Sequence, residues 1–300
     1  MKIKLYTFIT VIFSLALSFS FISENHAVRR LASQKKPDAP VRLYILDGGT
    51  LENADPKRYQ LDSSEVAINR FSVTCYLIVH PKGTLIWDTG TVPDSAWTYN
   101  GSPASYNLVQ PGFKRLITLV KPIKLQLSEI GYSPAEIKYI ALSHYHYDHS
   151  ANANEFKNSI WLVRQNERDS MFSNHTPPVT IPSTYAGLRN NKTQIITTDE
   201  YDVFGDGSVI IKSAPGHSPG HQVLFVRLKK TGNILIGGDL YHYPEERKLD
   251  RVPVFDFNQQ QDRASRKIIE AFIKEKNAQL WIQHDFAANA RLKKAPGYYE

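Results

Sequence analysis

The stretch Ser143-His144-Tyr145-His146-Tyr147-Asp148-His149 constrains this chain more than any other, because it sets three imidazoles and a carboxylate within six consecutive residues. It follows the apolar run Ile137 to Ser143, which reads as a strand. His144 and His146, two apart, then leave the strand end pointing the same way and can grip one cation through neutral ring nitrogens. Asp148 and His149 fall beyond the strand, where the chain turns, and can face a second cation beside the first. A polar surface loop would not need four ligand-type side chains at this spacing. Such a site is half built and requires further ligands from distant parts of the chain.

Three ligand-type residues recur where other apolar runs stop: His217 in Pro215-Gly216-His217, Asp239 in Gly237-Gly238-Asp239, and His284 after Leu280-Trp281-Ile282. Glycine and proline beside the first two allow the tight turns that aim a side chain inward. His221 competes with His217, but His217 lies in the turn itself whereas His221 begins the next strand. His26, His80 and His175 have no such context, and His242 has it only through its nearness to Asp239.

The His-x-His-x-Asp-His run resembles the metallo-β-lactamase superfamily of binuclear hydrolases. A longer likeness, over residues 40 to 296, is to the N-acyl homoserine lactonase group: the heptapeptide, Ala214-Pro215-Gly216-His217-Ser218-Pro219-Gly220-His221-Gln222, and His284-Asp285. The resemblance implies two divalent metal ions, with zinc expected. His144, His146 and His217 would hold one, Asp148, His149 and His284 the other, and Asp239 would bridge them. It further implies that a metal-bridging hydroxide opens a lactone ring, with Asp148 as proton shuttle. Asp88, in Asp88-Thr89-Gly90, would buttress the metal loop.

Cys75 is the chain's single cysteine, so the Cys ligand that some true β-lactamases carry in place of the bridging carboxylate is absent near Asp239. The lactonases place a substrate-contacting Tyr three residues after the bridging Asp, where this chain has His242. Of the run Tyr241-His242-Tyr243, Tyr241 is put forward as the hydroxyl donor to substrate, with His242 and Tyr243 left open as the contact. Tyr147 is expected either to pack on the lactone ring or to hold the metal loop. A phosphotriesterase or arylesterase would use the same metals, and a metal-holding module without activity is the reading from another class. A glyoxalase-type thioesterase is disfavoured by the lack of a basic patch for glutathione carboxylates.

Met1-Lys2-Ile3-Lys4 followed by an apolar run from Leu5 to Ile22 has the layout of a secretory signal. The expected division is a signal peptide over 1–27, a flexible lead-in over 28–40 and a catalytic domain over 41–300, with a periplasmic or secreted location. An uncleaved anchor is the alternative. Of the formal charge of +7, residues 1–36 carry +5 (six basic side chains against Glu24), which leaves +2 on the other 264 residues. That balance excludes a phosphate-binding surface and hence nucleic acid. The expected partner is a small lactone or ester, with homodimerisation allowed and no membrane contact beyond the leader.

Cys75 sits in the alternation Phe71 to Val79 and reads as a buried strand residue. Strand clusters in both halves, each followed by helical periodicity such as Ile268, Ile269, Phe272 and Ile273, predict an α+β chain. Its expected form is a four-layer αβ/βα metallo-β-lactamase sandwich of two mixed sheets flanked by helices. Thr91 to Phe113, rich in Pro, Ser and Tyr, reads as a long irregular segment, either a wall of the substrate pocket or a surface loop with its own small aromatic cluster.

Overall fold

The structure, a computed structural model, describes residues 39–300. The expected signal peptide and most of the lead-in lie outside the described residues.

Alternation in the first strands buries both of their faces. On β1 (Arg42–Leu51), Leu43 and Ile45 enter one apolar cluster while Tyr44 and Leu46 enter another. β2 (Phe71–His80) divides Tyr76 and Ile78 from Cys75 and Leu77 in the same way. Full burial of a side chain of this size contributes about 1.5–3 kcal/mol. A slip of one residue would exchange the two faces of a strand, so the pattern fixes the antiparallel register Leu43↔Ile78 and Ile45↔Tyr76.

The first sheet runs in the order β4 (Ala104–Gln110), β5 (Phe113–Leu119), β1, β2, β3 (Gly83–Trp87), β6 (Tyr139–Ala141), β7 (Ile160–Val163) and β8 (Thr193–Ile195), with β14 (Tyr298–Tyr299) on β1. The second runs β13 (Ala278–Trp281), β12 (Gly232–Ile236), β11 (Gln222–Leu228), β10 (Val209–Ser213) and β9 (Glu200–Asp202). Between them lies a core in which Tyr76, Leu85 and Trp87 meet Val209, Leu224, Ile234 and Trp281.

The helices are α1 (Ile123–Glu129), α2 (Tyr147–Ser150), α3 (Gln165–Met171), α4 (Pro244–Leu249), α5 (Gln259–Lys276) and α6 (Phe286–Ala290). Ile123 and Leu127 of α1 and Met171 of α3 pack outside the first sheet. Ile269, Phe272 and Ile273 of α5 pack outside the second. Both sheets mix parallel and antiparallel pairs, so the expected four-layer αβ/βα sandwich is the fold observed.

β3 is parallel to β6, and β12 to β13. Parallel neighbours deliver their C-terminal loops to the same edge of a sheet. Asp88, His144, Asp239 and His284 all follow such ends.

Two expectations need correction. The segment Thr91 to Phe113, read as irregular, includes β4, the turn at Pro111 and Gly112 and the first residue of β5, with which β4 forms a hairpin. Its alternation is masked because only one face is covered and the outer positions carry Ser105, Asn107 and Lys114. The metal motif also departs from a plain turn. β6 stops at Ala141, and α2 is a single helical turn with His146 at its N-cap. Cys75 is buried and free, as expected.

Candidate metal centre

The seven ligand candidates from the sequence, His144, His146, Asp148, His149, His217, Asp239 and His284, fall into two clusters, within each of which the ligand atoms lie within 4.8 Å of one another. One holds His144, His146, His217 and Asp239; the other holds Asp148, His149 and His284. All seven are buried.

Asp239 lies between the clusters. Its Oδ2 is 3.2 Å from His217 Nε2 and 3.6 Å from His144 Nε2, while its Oδ1 is 3.0 Å from the Nε2 atoms of both His149 and His284. Gly238 makes this placement possible. Its φ is +54°, and an added Cβ would lie 2.6 Å from His221 Nε2.

Hydrogen bonds behind the imidazoles fix which nitrogen faces inward. His149 Nδ1 is 2.9 Å from Asp88 Oδ2, His217 Nδ1 is 2.8 Å from Asp256 Oδ1, and His284 Nδ1 is 2.9 Å from the Ser72 carbonyl. Each acceptor places the ring proton on Nδ1 and leaves the Nε2 lone pair turned to the centre. His221 does not belong to the set. Its Nδ1 donates to the Ala214 carbonyl and its Nε2 accepts from Asp239 N–H at 3.0 Å, so it holds the bridging turn. Burial pushes its pKa down to about 3, which keeps that acceptor free.

Two carboxylates tie the ligand loops together. Asp88, at a left-handed φ of +58°, accepts from Ser143 N–H at 2.6 Å and from His149 Nδ1–H and Gln283 Nε2–H, each at 2.9 Å. This is the buttress expected from the sequence. Glu167 is a second one that the sequence does not announce. Its carboxylate accepts from Tyr145 N–H at 2.8 Å, Ser218 Oγ–H at 2.7 Å and Gly220 N–H at 2.8 Å. Glu167 therefore joins the loop bearing His144 and His146 to the loop bearing His217. Burial pushes its carboxyl up to about 7, and the three donors oppose that rise. Nothing local in α3 marks it out, because its partners are distant in sequence.

His242, which the sequence leaves open as a substrate contact but does not place among the ligands, also reaches the centre. Its Nε2 is 3.0 Å from Asp239 Oδ2, its backbone N–H bonds Glu246, and it forms a further cluster with Asp239 and His284. Its spacing three residues after Asp239 is the one signal in the sequence.

Tyr241 must be corrected. Its hydroxyl donates to Glu270 at 3.1 Å, its ring lies under Arg266, and its neighbours are the apolar residues between the second sheet and α5. It does not line the cavity above the centre, whose walls include Tyr147, Asp148, Asp239, His242 and His284. His242 is directed to the centre, while Tyr241 beside it packs between the second sheet and α5.

The donor set suits cations. His144 Nε2 and Asp239 Oδ1 are buried without a hydrogen-bond partner, and His146 Nδ1 lies 3.1 Å from His217 Nε2. Burial pushes His144 and His146 well below the usual histidine range, leaving neutral rings. Burial alone would raise Asp239, but the surrounding imidazoles hold it well below the ordinary carboxylate range. Burial would likewise lower His217, yet Asp239 and Asp256 carry it to about 10, so a cation has to displace a proton there.

A family model described as the metallo-beta-lactamase superfamily matches residues 68–277. The chain belongs to that superfamily. It is 29% identical over 267 residues to an N-acyl homoserine lactonase, AttM, of Azorhizobium caulinodans, a match covering 87% of this chain and 99% of that protein. A solved N-acyl homoserine lactone hydrolase with N-hexanoyl-L-homoserine at its catalytic metal centre is similar at a TM-score of 0.70 and 24% identity, covering 87% and 99% of the two chains. AidC, described as a dizinc quorum-quenching lactonase, is similar at 0.61 and 17%, covering 87% and 94%. These likenesses place the metallo-β-lactamase sandwich around the observed histidine and aspartate clusters.

Proposed function

We propose that this chain is a binuclear metal-dependent lactonase that opens the ring of N-acyl homoserine lactones. The observation that carries the reading is Asp239, whose two oxygens face two separate imidazole sets. His144, His146 and His217 would hold one divalent cation, and Asp148, His149 and His284 the other, with Asp239 shared. Zinc is the metal of choice, since imidazole and carboxylate donors suit it and the similar protein AidC is described as dizinc. Bound there, the cations supply an activated water and polarise the ester carbonyl.

The chain's own groups complete the chemistry. Asp88, Asp256 and the Ser72 carbonyl hold the imidazole tautomers, so that no ligand has to reorient during turnover. Asp148 lies on the cavity wall with Oδ2 3.8 Å from His284 Nε2 and 4.0 Å from His149 Nε2. A carboxylate so placed can take a proton from the attacking water and return it to the alkoxide oxygen as the ring opens. His242, not Tyr241, presents a polar side chain to the cavity beside the bridging carboxylate.

The relatives' activity supports a lactone over a phosphotriester, with AttM matched across 99% of its length. The test compares turnover of N-hexanoyl homoserine lactone with that of a paraoxon-like triester, each before and after chelation. Chelator-sensitive lactone opening exceeding triester hydrolysis is expected. Triester hydrolysis without lactone opening would replace the reading, and metal binding with neither activity would make the chain a binding module.

We further propose export through residues 1–27, supported by the basic start and the apolar run from Leu5 to Ile22. N-terminal sequencing of the exported protein reads the cleavage point, and recovery of Met1 in the membrane fraction would favour an anchor.

A further inference from the structure

Among the described residues five imidazoles face the Asp239 carboxylate, and the seven-residue ligand set uses four of them. The Nε2 atoms of His149 and His284 lie 3.0 Å from Oδ1, and those of His217 and His144 lie 3.2 and 3.6 Å from Oδ2. The fifth is His242, whose Nε2 lies 3.0 Å from Oδ2. Distance to the bridging carboxylate therefore does not separate His242 from the four ligands. Burial does not separate it either. With Asp239 and His284 it forms a cluster whose ligand atoms lie within 4.8 Å of one another.

The groups behind the ring repeat the ligand pattern. His149 and His217 each have a carboxylate at Nδ1, and at His242 Nδ1 stands Glu246, with Oε2 3.4 Å away. The approach is longer than the other two because the same Oε2 also accepts from the His242 and Tyr243 N–H groups, at 2.6 and 2.8 Å. Those bonds, made at the start of α4, and Arg266 Nη2 at 3.4 Å from Oε1 fix the carboxylate in place. A negative charge at that nitrogen draws the ring proton to Nδ1 and leaves the Nε2 lone pair turned toward Asp239. A lone pair and a carboxylate oxygen 3.0 Å apart repel each other unless a cation lies beside them. Packing holds the ring in that orientation. It stacks on His284 with centroids 5.3 Å apart and planes at 4°, and Tyr59 covers it at 4.7 Å.

We propose that His242 is an eighth protein ligand of the metal centre, joining Asp148, His149, His284 and Asp239 on the second cation. The inference rests on the binuclear centre of the lactonase reading and adds a donor to it. Imidazole is an established zinc donor, whereas a neutral phenol, the group of the Tyr that the lactonases place here, is not. His242 also borders the substrate cavity, so contact with substrate is the competing role that the experiment has to separate.

The experiment measures zinc affinity by competition with a chromophoric chelator in wild type, His242→Gln, His242→Phe and Glu246→Gln, beside kcat and KM for N-hexanoyl homoserine lactone. Loss of a ligand should weaken the second cation more than about a hundredfold in both His242 variants, beyond the span typical of an outer partner. Glu246→Gln should weaken it about tenfold to a hundredfold. In cobalt-loaded protein the visible absorption should change with His242→Gln and stay unchanged with Tyr241→Phe. Zinc affinity within about twofold of wild type in both His242 variants, with KM raised, would make His242 a substrate contact and overturn the assignment. A crystal structure of the zinc-loaded wild type decides independently of any variant's folding. His242 Nε2 within about 2.3 Å of a cation is expected, and a separation beyond about 3 Å overturns the proposal. Wild type that binds two cations and opens no lactone would remove the lactonase reading alone, which keeps the two failures apart.

Discussion

Glu167→Gln probes how the site is held, because a single carboxylate bonds three donors on two ligand loops. The glutamine amide has one accepting and one donating end. If its nitrogen replaces Oε1, the Tyr145 N–H faces another donor; if it replaces Oε2, the Gly220 N–H does, although the Ser218 hydroxyl can turn to accept. One buried backbone donor is stranded either way, at a cost of about 1–3 kcal/mol. At pH 8, above the value of about 7 to which burial pushes Glu167, the substitution also removes a charge from these bonds. The metal-free loops can relax around the amide, so the cost falls mainly on the loaded state. With about 1.4 kcal/mol per factor of ten, the cation at His144, His146 and His217 should bind about tenfold to a hundredfold more weakly. Competition with a chromophoric chelator measures this directly. The melting temperature of the loaded protein should fall by about 2–10 °C. A metal affinity within about twofold of wild type at an unchanged melting temperature would refute the buttress argument.

Three further outcomes follow from local geometry. Gly216→Ala should destabilise by about 3 kcal/mol, since its φ is +144° and the new Cβ would lie 2.3 Å from backbone atoms of Asp262; a melting temperature within about two degrees of wild type would contradict this. Tyr241→Phe should leave kcat/KM within about twofold, because its hydroxyl bonds Glu270 of α5, away from the centre, and a hundredfold loss would return it to the site. Asp206 bonds the Ser208 N–H and hydroxyl and His80, and these outweigh partial burial to bring its carboxyl down to about 2. A depressed folded-state pKa gives stability that is complete above the unfolded value near 4 and is lost as pH falls toward 2. Asp206→Asn should therefore differ from wild type at pH 6 and converge with it near pH 2, as read by denaturant titration; a gap that persists in acid would contradict the assignment.

The ligand positions are legible in the sequence because they lie at strand ends, several beside Gly or Pro, where a polar side chain directly after an apolar run has a task to perform. Asp88 is legible for the same reason. Glu167, Asp256 and His242 are not, because each acts through contacts that local pattern does not reveal, most of them between segments far apart in the chain. The β4–β5 hairpin is hidden by one-sided burial, which gives polar residues to the outer positions. Tyr241 is misplaced from sequence because a residue's type and its nearness to Asp239 do not determine which way each side chain of an irregular, bent segment points.

In the proposed enzyme Asp239 joins two metal sites into one reaction centre, and Asp239→Asn is the variant that would uncouple them. Metal content and lactone turnover are measured on the same preparation of that variant. Occupancy should fall from two cations per chain toward one, and turnover should fall with it. Two cations per chain with full turnover would show that the centre does not depend on the bridge.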